Sequence, residues 1–263
     1  MSEPSPRGAV RDYPRMAVEV DTVEPVPRRV RGFLAGRPVF DTARAQYLWE
    51  WRNYPQYYIP LADVVQDYLV DEGHSEQLRH GTALRYGLRV GDKQRPGAAR
   101  VYAPDAHPDV AGTVRFAWDA LDSWFEEDEE VFVHPRNPYV RVDALRSHRS
   151  VRVELGGVML ADTHSPVLLF ETGLPTRYYI DRTDVRFEHL VPSDTRTPCP
   201  YKGNTSGYWS LHIGDVTHDD LAWAYDFPTE AVRPITGMIA FFNEKVDIYV
   251  DGELLERPRP TSR

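Results

Sequence analysis

The chain has 263 residues, 41% hydrophobic and 12% aromatic, a composition that supports folded cores and lies far from that of a disordered protein. Its 31 basic and 40 acidic side chains leave a formal charge of −9, which argues against a protein that grips nucleic-acid phosphates. No apolar run approaches the roughly 18–20 residues that span a bilayer, and a single cysteine, Cys199, excludes an internal disulfide and any cysteine-pair zinc site. The expectation is a soluble cytoplasmic protein without membrane or nucleic-acid partners.

Residues 1–28 carry Pro4, Pro6, Pro14, Pro25 and Pro27, show little apolar periodicity and lack the apolar stretch of a secretory signal. They read as a disordered tail. From Val30 onward, short extended runs alternate with turn signals. Leu34-Ala35-Gly36-Arg37-Pro38 predicts a hairpin, and Tyr47-Leu48-Trp49-Glu50-Trp51 a strand closed by Asn53-Tyr54-Pro55. Leu61, Val64, Val65, Tyr68 and Leu69 have the spacing of one short amphipathic helix. The acidic run Glu126–Glu130 reads as a solvated edge rather than a metal site. The stretch after it, which includes His134 and Arg136, is too apolar for a flexible tether. Residues 126–150 are therefore predicted to be an ordered linker that packs across both domains.

The chain then repeats itself. Val30 to Val64 and Val151 to Val185 align without a gap, with identities that include Arg31/Arg152, Gly36/Gly157, Thr42/Thr163, Glu50/Glu171, Tyr58/Tyr179 and Asp63/Asp184. Alignment resumes with Thr82/Thr205, Leu88/Leu211 and Tyr102/Tyr225. A period this long is the size of a domain rather than of a solenoid unit. The prediction is a tandem of two related, mainly β domains with a minor helical share, at residues 29–125 and 151–256.

The copies diverge most in the second domain's Thr197-Pro198-Cys199-Pro200-Tyr201-Lys202-Gly203. Neither Cys199 nor Lys202 has a partner in the first copy. A lysine three residues from a cysteine held between prolines is able to lower the thiol pKa; a packed small hydrophobe is the plain alternative. Cys199, Lys202 and Glu171 are thus the candidate catalytic residues. Tyr179, Trp209, Trp223 and Tyr225 are candidate pocket walls, although each is equally at home in a core. His134 and Arg136 reach the same cleft if it lies at the domain interface. No phosphate-binding glycine loop, dinucleotide fingerprint or paired-histidine motif occurs, so no cofactor and no metal are expected.

The ordered string Ala161-Asp162-Thr163, Glu171, Tyr178-Tyr179-Ile180, Asp184-Val185, Cys199-Pro200-Tyr201-Lys202-Gly203, Ala222-Trp223-Ala224-Tyr225 and Gly237-Met238-Ile239-Ala240-Phe241-Phe242 resembles the bacterial domain-of-unknown-function family 427. The resemblance covers nearly all of the second copy and, in decayed form, the first. It implies a β-tent domain similar in architecture to methionine sulfoxide reductase B. Relatives of that architecture hold zinc through two cysteine pairs, which this chain lacks. The functional expectation is a small-molecule-binding domain or enzyme with one pocket in or next to the second domain. Nucleotidyl transfer, a label attached to the family, would need a carboxylate pair such as Glu171 with Asp184. A non-catalytic protein-interaction module is the further alternative.

Overall fold

A computed structural model describes residues 18–214 and 216–258. It divides into two compact units, with the division at Asn137/Pro138. In the first unit a seven-stranded antiparallel sheet runs, edge to edge, through Val23–Pro25, Gln46–Leu48, Gln56–Pro60, Thr113–Phe116, Lys93–Tyr102, Gly81–Val90 and Leu69–Leu78. In the second the sequence of strands is Val142–Arg146, Val167–Glu171, Arg177–Ile180, Ile239–Phe241, Val216–Ala224, Gly207–Ile213 and Leu190–Ser193. Each unit adds a four-stranded sheet, again with matching strand order. The tandem of mainly β domains is therefore realised in both sheets of each unit, and the second unit adds the two-stranded pair Pro198–Cys199 and Gly203–Asn204.

Period-2 sequence builds these sheets. Val30–Leu34 and Val151–Leu155 both alternate buried and half-buried positions, so one face of each strand enters the core. Both hairpins turn through two residues of positive φ, Ala35-Gly36 (51° and 70°) and Gly156-Gly157 (59° and 81°). That is the type I′ geometry matching strand twist. Between the two sheets of the first unit lie Val30, Phe40, Trp49, Tyr57, Ile59 and Trp124. Between those of the second lie Val151, Leu160, Ile180, Leu211, Phe241 and Ile248.

Three expectations are corrected. Val23–Pro25 pairs with Gln46–Leu48 and Val26 is buried, so residues 18–28 are not a tail; residues 1–17 lie outside the described residues. The amphipathic helix is replaced by two 3-10 turns, Leu61–Asp63 and Gln66–Tyr68, around an extended Val64. There the neighbouring strand takes over the backbone: Val64 bridges Phe40, and Val65 N–H donates to the Val39 carbonyl at 2.8 Å. Residues 126–150 do not form a separate linker. Ser123–Glu126 and Glu129–Val131 complete the first unit's smaller sheet, while Val142–Arg146 is the edge strand of the second unit's larger one. Among the described residues no helix is long and apolar enough to cross a membrane.

Candidate functional site

In the second domain, strand register assembles one row of side chains. Val167 pairs with Tyr179, Tyr179 with Ala240, Ala240 with Trp223, and Trp223 with Tyr208. Paired residues share a face, and this face of the larger sheet points away from the intersheet core. It is covered by Val232 and Ile235 of the turn Glu230–Ile235 and joined by Tyr225. Tyr225, one residue past the end of the strand Val216–Ala224 and two past Trp223, packs in the same cluster as Trp223. At the edge of this cluster, Lys202 Nζ donates to Glu171 Oε2 at 2.5 Å, with the two side chains only 12% and 9% exposed.

The loop that delivers Lys202 is pinned throughout. Cys199 pairs with Gly203, whose φ of 89° folds the chain back on itself. Thr229 N–H donates to the Lys202 carbonyl and the Thr229 hydroxyl to the Tyr201 carbonyl. Burial pushes the Tyr179 hydroxyl up to about 12, against the opposing pull of Lys202 and a 3.2 Å hydrogen bond from Trp223 Nε1. Tyr225 is also raised, by burial first and then by Tyr179 and Cys199. Burial works against the Lys202 charge, yet Glu171, aided by Cys199 and Tyr179, holds its pKa above the ordinary lysine value. The result is a closed, neutralised ion pair under aromatic side chains, with a half-buried cysteine beside it.

The first domain carries the same motif in open form. Tyr58 donates to Glu50 Oε1 at 2.8 Å, and Tyr102 lies 3.2 Å from the Tyr58 hydroxyl. Here the cation is Arg115, its Nε 2.6 Å from Glu50 Oε1 and its Nη2 donating to Oε2 at 3.1 Å. Arg115 comes from a different element than Lys202. By register it occupies the place of Ala240, and its cross-strand partner Arg100 the place of Trp223. A cleft of about 380 Å³ opens over this group, lined by Glu50, Glu76, Arg79, Arg100, Tyr102 and Arg115 among others. The clefts described in the second domain are lined by other residues, such as His218 and Lys245 or Tyr178 and Asn243, and not by Glu171 or Lys202.

Residues 22–127 and 143–252 each match the domain of unknown function DUF427. The chain belongs to the DUF427 family. No curated protein matches it in a sequence comparison.

Of the residues singled out in this DUF427 tandem, the structure brings together Glu171, Tyr179, Cys199, Lys202, Trp223 and Tyr225. It does not bring Trp209 to them. Next to Tyr208 in the strand, Trp209 points to the opposite face, where it meets Phe187 edge-on at 6.0 Å between ring centroids and packs against the intersheet core. His134 and Arg136 are engaged within the first DUF427 unit: His134 stacks on Tyr54 at 3.6 Å and Arg136 donates to the Glu130 carbonyl. Glu171 and Asp184 are no metal-binding pair, because they stand at opposite ends of two paired strands. Asp184 accepts instead from the Thr163 hydroxyl at 2.6 Å, as Asp63 does from Thr42 at 2.6 Å.

Two features escaped the sequence reading. Glu126, assigned to a solvated acidic edge, is 2% exposed and accepts from Tyr57 and Arg28, each at 2.6 Å. Its four acidic successors are exposed, as a solvated edge requires. Arg100 and Arg115 also went unremarked, since a residue present in one copy only carries no repeat signal; the retained Glu50 was the one available pointer.

Proposed function

We propose that this DUF427 tandem is a small-molecule-binding protein whose ligand sits in the first domain, over Glu50, Arg115 and Tyr102. The observation that carries this reading is the cleft of about 380 Å³ whose lining brings several charged groups together at one wall. Its volume falls within the range of about 300–1,000 Å³ usual for ligand sites. The second domain holds the related Glu171–Lys202 pair buried, which suits a supporting role better than a binding one. This reverses the sequence expectation of a pocket in or next to the second domain.

A thermal-shift screen of metabolites against the full chain tests the reading. At least one ligand is expected to raise the melting temperature of the wild-type chain and to lose that effect in Arg115→Met. A screen without stabilising ligands, or ligands that respond to Lys202→Met and not to Arg115→Met, would overturn it.

A further inference from the structure

We infer, resting on the cleft assignment above, that the ligand carries an oxyanion group, a carboxylate or phosphate, seated between Arg100 and Arg115. The two arginines are direct cross-strand partners on neighbouring strands, so their side chains rise together from one face. Like charges placed directly opposite each other repel unless something neutralises them. Two carboxylates do part of this: Glu76 Oε2 lies 2.6 Å from Arg100 Nε, and Glu50 takes the Nε and Nη2 side of Arg115.

Each carboxylate occupies one side of its guanidinium and leaves another open. Arg100 Nη1 turns to the carbonyls of Gly97 and Ala99, which leaves Nη2 without a hydrogen-bond acceptor among the described residues. For Arg115 the outer group so left is Nη1, while its buried Nε meets Glu50 at ion-pair distance without a hydrogen bond. Both side chains are only about a quarter exposed, at 24% and 25%, so water screens them incompletely. A planar guanidinium offers five donors in a fixed fork, and two such forks side by side fit a carboxylate or phosphate rather than a neutral hydroxyl. Arg79 lines the same cleft. Arg79 is already paired with Asp21, which leaves the unoccupied sides of Arg100 and Arg115 as the cleft's available cationic donors. In the second domain the equivalents of the arginine pair are Trp223 and Ala240, so oxyanion recognition is confined to the first.

The experiment is isothermal titration of the full chain with inorganic phosphate, succinate and glucose, on wild type, Arg100→Met, Arg115→Met and the charge-balanced Glu50→Gln/Arg115→Met, whose folding is checked by circular dichroism. Phosphate or succinate is expected to bind the wild type, with affinity falling as salt rises and roughly tenfold or more in every arginine variant. Glucose is expected not to bind. If neither anion binds while a neutral compound stabilises the chain in an Arg115-dependent way, the oxyanion inference is wrong and the cleft assignment stands. If the anions bind wild type and all variants alike, the anion site lies elsewhere and the inference falls. Should no compound respond to Arg115 at all, both fail together.

Discussion

Lys202 and Glu171 illustrate how a buried pair sets its own tolerance to change. Each charge is desolvated and each is the other's compensation. Lys202→Met should therefore cost about 3–5 kcal/mol, because it strands a buried carboxylate, while Lys202→Met combined with Glu171→Leu should recover most of that loss. Urea unfolding of Lys202→Met, Glu171→Leu and the double variant measures both figures, and additive losses would show that the pair is not coupled. A second residue-scale case is Glu244, gripped by Arg177 through two hydrogen bonds of 2.7 Å. Burial raises its pKa, but the Arg177 hydrogen bonds and charge outweigh this and hold it below the ordinary carboxyl value of 4.5. A carboxylate depressed in the folded state contributes stability that is present above its unfolded pKa and lost as pH falls through the folded one. Stability should accordingly drop on acidification below about pH 4.5. In Glu244→Gln that drop should be shallower, as read from urea midpoints across the acid range.

At the scale of elements, several residues identical in both copies prove to be parts that shape strands and turns. Thr42–Asp63 and Thr163–Asp184 are the same pin, a hydroxyl that ties a 3-10 turn to the hairpin before it. Thr163→Val should destabilise by about 1–3 kcal/mol, the cost of an unmatched partner in a buried setting, by chemical denaturation. Gly157 sits at φ 81° in its type I′ turn. Gly157→Val should cost about 1–2 kcal/mol, and Gly157→Asn distinctly less, since asparagine tolerates the left-handed region; equal costs would mean that the turn relaxes. The turn glycines were legible because backbone conformation is a local property. The failed helix over residues 61–69 shows the opposite case. Its apolar spacing suits a helix, but in the fold the N–H of Val65 is taken by Val39, 26 positions earlier, so a nonlocal bond decided the local structure.

For the whole molecule, the duplication is the organising fact. Each unit has its own core between its own two sheets, and the Glu–Tyr–Tyr motif recurs on the outer face of each larger sheet. Compact units with separate cores fold as separate units. Residues 138–263 expressed alone should give a cooperative melt and dispersed amide signals by NMR; a molten spectrum would show that this unit depends on its neighbour. The boundary itself was misjudged from sequence. The stretch that was to be a linker holds Glu129–Val131 of the first unit's smaller sheet and Val142–Arg146 of the second unit's larger one.

The sequence alone determined that the chain is a tandem of two mainly β domains, because repetition, period-2 alternation and turn chemistry are written along the chain. Only the tertiary structure decided which cation meets each glutamate. Lys202 reaches Glu171 from a loop 31 residues later, whereas Arg115 reaches Glu50 from a strand 65 residues later. The two are not aligned positions, so no comparison of the copies reveals that one function has been filled twice. The same holds for Trp209, turned to the other face by strand alternation, and for Glu126, drawn out of an acidic run into a core by Tyr57 and Arg28. Whether a charge is paired, buried or open to a cleft depends on groups distant in sequence, and that is why the cleft over Glu50 and Arg115, in the copy the sequence had marked as decayed, was not legible along the chain.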